Sequence, residues 1–296
     1  MSPHGTATCV FGKDAPIAER TAKSILRTSA PGRRLAPAVH RAREIAFAGR
    51  AWLFDKRAKR QERIRELSRG LPLPPPLIRT KVIRNGDARH FLASGKRQHH
   101  YIVSNLRRNK VEPRRLESIY DFGCGCGRNL RWWWPEFQGK LTGSDIYEPG
   151  VRWVDENLPF VDAAPNGALP PTRYQDASFD FIYAISIWTH FPEERQRPWM
   201  EEMVRLLRPG GHLLFTVAGT AYRDTLPPGD GAAFDRGELV VQFDDEPGSN
   251  LCAVYHPERY VTERLIRPPL ELVDFIPGDA EARMRQDGWL VRRSAS

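Results

Sequence analysis

The sequence predicts an open, doubly wound α/β fold with a mostly parallel sheet, preceded by a helical N-terminal extension. Three observations predict it. Residues 118–121 read as the end of a short buried strand that breaks into a turn carrying Gly123, Gly125 and Gly127. Such a turn lets backbone approach a ligand at the strand's carboxyl end and admits φ > 0. A second strand, residues 141–145, ends in Asp145, 24 residues after Asp121. Finally, residues 178–186 form a continuous apolar strand, followed by a helix, the stop Arg208, Pro209, Gly210, Gly211, and another strand over 212–218. Two-sided apolarity marks a central parallel strand covered by helices on both faces.

Spacing narrows the ligand. A dinucleotide fingerprint needs Gly-x-Gly-x-x-Gly, but the residue five after Gly123 is Arg128. The pattern present is Asp-x-Gly-x-Gly-x-Gly, with Asp121 leading it. A carboxylate there repels a pyrophosphate and suits a cationic, zwitterionic amino-acid group. A helix is expected from Arg128, its free N–H groups forming an anion seat. At Asp145 a carboxylate can accept both hydroxyls of a ribose, or simply cap the next helix, over 150–157.

This constellation over residues 118–218 resembles the class I S-adenosylmethionine-dependent methyltransferases, with a looser likeness to a bacterial branch associated with glycan and natural-product tailoring. The resemblance implies a Rossmann-like, seven-stranded sheet whose last strand, from Trp289, is antiparallel and pairs with residues 270–276. It implies S-adenosylmethionine as cofactor, held by Asp121, Gly123, Cys124, Gly125, Gly127 and Arg128 at its amino-acid end. Asp145 and Ile146 would hold the ribose side, Asn166 (with Asp162 competing) the adenine, and Ser186 the pocket floor. His190, in the loop after the fourth strand, would lie beside the transferred methyl group as a general base, or else hold its loop by hydrogen bonds. His256 would face the acceptor from the end of a substrate lid over 219–256, or be structural. A strand over 238–243 and the acidic trio Asp244, Asp245, Glu246 fall within that lid. Tyr101 would point toward the pocket or simply pack.

Composition bounds the rest. Residues 1–70 hold 16 Lys/Arg against 6 Asp/Glu, whereas residues 71–296 hold 29 against 30. The basicity therefore belongs to the N-terminal arm, which weakens nucleic acid as a partner of the catalytic face. Within the arm, residues 35–67 show helical spacing, with Val39, Ala42, Ile45, Ala46, Gly49, Trp52 and Leu53 on one apolar stripe. With the basic tail Lys56, Arg57, Lys59, Arg60, such a helix can serve as a membrane-surface, RNA or partner-docking element; the favoured use is packing on its own domain or on a twin subunit, giving a homo-oligomer. A proline-rich linker over 71–77 marks the boundary between a 1–70 extension and a 71–296 catalytic domain. Residues 87–109 read as one or two helices broken at Gly95. Four cysteines offer no disulfide framework. With no apolar run of membrane length and no signal-peptide pattern, a cytoplasmic home is expected. No metal site is expected: Cys124 and Cys126 lie between required glycines, and His99 and His100 have no supporting ligands. The expected acceptor is a small molecule, methylated on oxygen. The alternatives are an RNA or protein acceptor recruited by the basic arm, and a non-catalytic scaffold that binds the cofactor.

Overall fold

The computed structural model describes residues 30–55, 58–84, 86–242, 252–279 and 284–295. Phe243 and the trio 244–246 lie outside them. Strands β1 (Ser118–Phe122), β2 (Lys140–Asp145), β3 (Val161–Pro165), β4 (Phe179–Ala184), β5 (Leu207–Val217), β8 (Leu270–Ile276) and β9 (Asp287–Arg293) make one sheet in the order β3-β2-β1-β4-β5-β9-β8. The first five run parallel, and β9 runs antiparallel to β5 and β8. The seven-stranded expectation, with its antiparallel last strand, is therefore met.

Strand alternation sorts the core into two layers. Tyr120, Phe122, Ile182, Leu213, Phe215 and Trp289 point to one face. There they meet Trp199 and Met203 of a helix over Glu193–Leu206. Ile119, Phe181, Tyr183, Leu214 and Leu290 point to the other. There they meet Ile102 and Leu106 of the helix Ala88–Arg108, and Val151 and Val154 of the helix Glu148–Asn157.

Four local expectations are corrected. The helix expected from Arg128 is a 3-10 turn, Leu130–Trp132. Trp132 and Trp133 are buried in different clusters, and Pro135 cannot continue a helical ladder. The Arg208–Gly211 stop lies inside β5, where five residues of β5 span two of β4, Phe179 pairing with Leu207 and Phe181 with His212. The extended linker ends early, because the helix Pro76–Ile83 begins with proline at a first-turn position. Gly95 breaks nothing: Ala88–Arg108 is one helix. A Cβ on Gly95 would come 2.8 Å from Trp132 Nε1 and run into the Arg128 carbonyl, so the glycine permits close approach to the 128–132 turn.

The extension forms α1 (Ala30–Asp55) and α2 (Ala58–Leu67). Its contacts reach past the expected boundary. Asp55 pairs with the buried Arg79, Arg60 with Asp87, and Glu44 with Lys81 at 2.6 Å. Ile64 joins the cluster of Phe91, Leu92 and Trp132. The inner face of α1 is formed by Glu44, Ala48 and Ala51, so the Val39-to-Leu53 stripe faces outward instead. Ion pairing, not the stripe, sets this helix's orientation.

Between β5 and β8 lie a 3-10 helix (Thr220–Thr225), a short helix (Pro228–Asp235) and a two-stranded ribbon of β6 (Val240–Gln242) with β7 (Ala253–Tyr255). The ribbon is tied to the sheet by the Ala218–Tyr255 bridge and by His256 N donating to the Ala218 carbonyl at 2.8 Å.

Candidate active site

The carboxyl ends of β1 to β5 converge on one edge of the sheet, where the glycine turn sits. Gly123, Gly125 and Gly127 have φ of 84°, 57° and 75°, a region that disfavours any side chain. Gly123 N and Cys124 N both donate to the Ser144 carbonyl, at 2.8 and 2.9 Å. A Cβ on Gly123 would run into Ile187, and one on Gly125 would come 2.8 Å from Val82. Ile187 and the helix Pro76–Ile83 thus lie directly over the turn, and neither was singled out from sequence.

Asp121 is 1% exposed, and its Oδ2 has no hydrogen-bond partner among the described residues. Burial pushes its carboxyl up to about 8, against a hydrogen bond from Tyr183 that lowers it. Trp133 Nε1 donates in turn to the Tyr183 hydroxyl at 3.1 Å. A buried carboxyl with one vacant oxygen is a seat for a donor that carries positive charge. Arg128 faces the same carboxyl, its Nε buried and without a hydrogen-bond partner among the described residues.

Asp145 Oδ2 accepts from Gly125 N at 2.8 Å, and Oδ1 accepts from Tyr147 N at 2.7 Å. This acid therefore clamps the glycine turn to the start of the next helix, and burial raises its pKa against those hydrogen bonds. Because Gly125 N is used in this way and the helix after Arg128 is absent, the expected anion seat does not form. Ile146 follows, half exposed at the rim. Asn166 Oδ1 accepts from Ser144 Oγ at 2.9 Å, which brings Asn166 beside the end of β2. Asp162 instead pairs with Arg173 and Lys140, away from that network.

Ser186 sits at φ 64°, held by its N–H to Thr216 Oγ1 at 2.8 Å. Gln286 bridges the two, donating to Ser186 Oγ at 2.8 Å and accepting from Thr216 Oγ1 at 2.7 Å. Four residues after Ser186, His190 Nδ1 lies 2.7 Å from the Cys252 carbonyl. A carbonyl only accepts, so Nδ1 carries the proton and Nε2 keeps its lone pair. Burial lowers the His190 pKa, which keeps the ring neutral at pH 7.

His256 meets this edge only through its backbone, at the Ala218 carbonyl just past β5, and its ring turns into the core. It is fully buried, its Nε2 is 3.1 Å from Gln196 Oε1, and burial drives its pKa down to about 3. That placement suits a core histidine. Tyr101 packs its hydroxyl against Gly288 rather than into the glycine turn. Gln286 and Tyr183 carried no signal in the sequence, because each acts through a partner distant in the chain.

Comparison with known proteins agrees with this geometry. Residues 120–215 match the family model described as a methyltransferase domain. Methyltransferase GfsG of Streptomyces halstedii is 32% identical over 117 residues, covering 36% of this chain and 39% of that protein. Probable tRNA methyltransferase 9B of Mus musculus is 27% identical over 139 residues, covering 47% and 28%. The chain thus spans well under half the length of these curated relatives. An S-adenosylmethionine-dependent methyltransferase from Mesorhizobium loti shares the fold at a TM-score of 0.50 and 18% identity, over 64% of this chain and 96% of that one.

Proposed function

We propose that this chain, which carries a class I S-adenosylmethionine-dependent methyltransferase domain, moves a methyl group from that cofactor to an oxygen of a small acceptor, a sugar or other secondary metabolite. The observation that carries the oxygen assignment is the His190–Cys252 hydrogen bond, which leaves a basic nitrogen at Nε2. The residues present fit the cofactor at its amino end: Asp121 has a vacant, buried oxygen for its amino group, and Gly123, Gly125 and Gly127 add no Cβ of their own beneath Ile187 and Val82.

When bound, S-adenosylmethionine supplies a methyl group already activated on a positively charged sulfur. The chain's own task is then alignment, which removes about 7–11 kcal/mol from such a barrier when two reactants are held in line. Asp121 anchors the amino group, Asp145 takes the ribose hydroxyls on its remaining lone pairs, and Asn166 and Ile146 border the adenine and ribose. Cys124 and Arg128 close the amino-acid end, and Ser186, stiffened by Thr216 and Gln286, lines the floor. His190 Nε2 takes the acceptor's hydroxyl proton, worth about 10²–10⁴-fold for so weak an acid. The Cys252 carbonyl, toward the end of the 219–256 insertion, holds that base in place.

Asp145→Ala should reduce affinity for S-adenosylhomocysteine more than 100-fold by calorimetry. It should also cost about 1–3 kcal/mol of stability, since two backbone N–H groups lose their acceptor. Affinity within a factor of three of wild type would defeat the ribose assignment. The acceptor is tested by offering methyl-labelled cofactor with pools of low-mass alcohols, low-mass amines, bulk RNA and protein. Label is expected on oxygen in the low-mass pool. The relative named as a probable tRNA methyltransferase and the 16 basic residues of the arm favour a second reading, an RNA acceptor. Label that precipitates with RNA and declines with salt would establish it instead.

A further inference from the structure

The outward face of α1 takes no part in the methyl transfer proposed above, yet its composition is sharply ordered. Ile45, Leu53 and Val39 are 61%, 63% and 39% exposed, and Ala42, Ala46 and Gly49 are exposed between them. At about 100° per residue these six fall within an arc of about 120° and extend about 21 Å along the helix. Arg41 stands beyond one edge of the arc, and Arg50 and Arg43 beyond the other, all three exposed. The helix has two acids, Glu44 and Asp55. Both lie on the opposite side, paired with Lys81 and Arg79 of the helix beneath.

We propose that this face of α1 docks the protein on the surface of an anionic lipid bilayer. An apolar strip flanked by arginines on both sides, with every carboxylate turned inward, matches an acyl layer bordered by negative headgroups. The excess of ten positive charges in residues 1–70 adds long-range attraction. No helix among the described residues is long and apolar enough to cross a membrane, so the attachment is peripheral.

Charge disfavours the other occupants. A second copy related by a two-fold axis would set arginine edge against arginine edge, with no acid on this face to offset them. A specific protein anchor needs a pocket, and alternation of Ala42, Ala46 and Gly49 with larger side chains leaves a shallow strip. RNA has no use for an aliphatic floor between its cationic contacts.

The test uses the full chain and vesicles of phosphatidylcholine with or without about 30% phosphatidylserine. Sedimentation with the anionic vesicles is expected, falling at least tenfold on neutral vesicles or at high salt. Ile45→Glu with Leu53→Glu should lower it at least tenfold while leaving S-adenosylhomocysteine affinity and the circular dichroism melt unchanged. Arg43→Gln with Arg50→Gln should lower it severalfold by charge alone. Absence of binding to anionic vesicles overturns the proposal. So does binding that the Ile45/Leu53 variant retains, which would make the attraction purely electrostatic. A concentration-dependent dimer that this variant abolishes, in a chain indifferent to vesicles, assigns the face to a second copy and also overturns it. None of these outcomes depends on transferase activity.

Discussion

Asp121→Asn is expected to melt higher than the wild-type chain near pH 8 and to bind S-adenosylmethionine at least 100-fold more weakly. Both effects come from one buried carboxyl. Burial raises the Asp121 pKa from 3.8 to about 8, so between those values the folded chain holds a proton that the unfolded chain has released. The stability it contributes is complete at low pH and is lost as pH rises through the folded value. At about 1.4 kcal/mol per unit the window amounts to at most ~6 kcal/mol. Asparagine removes the titration, keeps an oxygen for Tyr183, and flattens the dependence of melting temperature on pH. The cofactor's amino group acts in the opposite direction, because a cation beside the vacant Oδ2 stabilises the carboxylate. Binding at pH 7 should therefore release close to one proton, read as a dependence of calorimetric heat on the ionisation enthalpy of the buffer. Affinity should weaken as pH falls below 8. Equal heats in all buffers, together with unchanged affinity in Asp121→Asn, would remove this residue from the pocket.

What the sequence discloses about this site, and what it hides, follows the range of each interaction. Strands β1, β4 and β5 are legible because their apolar runs are continuous, with glycine following β1 and β5. The turn at Gly123, Gly125 and Gly127 is legible because three glycines at alternate positions have few other uses. The Tyr183–Asp121 contact is not, because it depends on the register of two parallel strands, in which these residues are directly opposite. No local pattern encodes a register. Periodicity also groups residues on a helix face without saying which face turns inward. In α1 the polar pairs Glu44–Lys81 and Asp55–Arg79 take the inner side, so the apolar stripe faces out. The missing helix after Arg128 has the same kind of origin: two adjacent tryptophans are claimed by two separate clusters, which a regular helix cannot serve at once. His190 and His256 look alike in sequence, each in a loop near a strand end. They are separated only by depth, since His190 retains access to the sheet edge while His256 is enclosed behind Gln196.

His190→Ala is expected to lower kcat by about 10²–10³ while leaving cofactor affinity within about twofold. The imidazole works only when neutral. Its pKa is held below the ordinary 6.5, first by burial and further by the charge on Arg84, against the Cys252 hydrogen bond that favours the protonated ring. The wild-type rate should therefore stay flat from pH 8 down past 6.5 and fall only below it. In His190→Ala that acidic limb should vanish. His190→Gln, which keeps a donor for the Cys252 carbonyl but supplies no base, should be as slow as the alanine variant. This pair separates proton removal from loop positioning: a purely positional histidine would be largely rescued by glutamine. The size of the loss also reports the acceptor's chemistry. An alcohol loses its proton only with help, whereas an amine attacks through a lone pair it already has. A loss under tenfold with an unshifted limb would retire His190 as the base and turn the acceptor from oxygen to nitrogen, with the cofactor pocket unchanged.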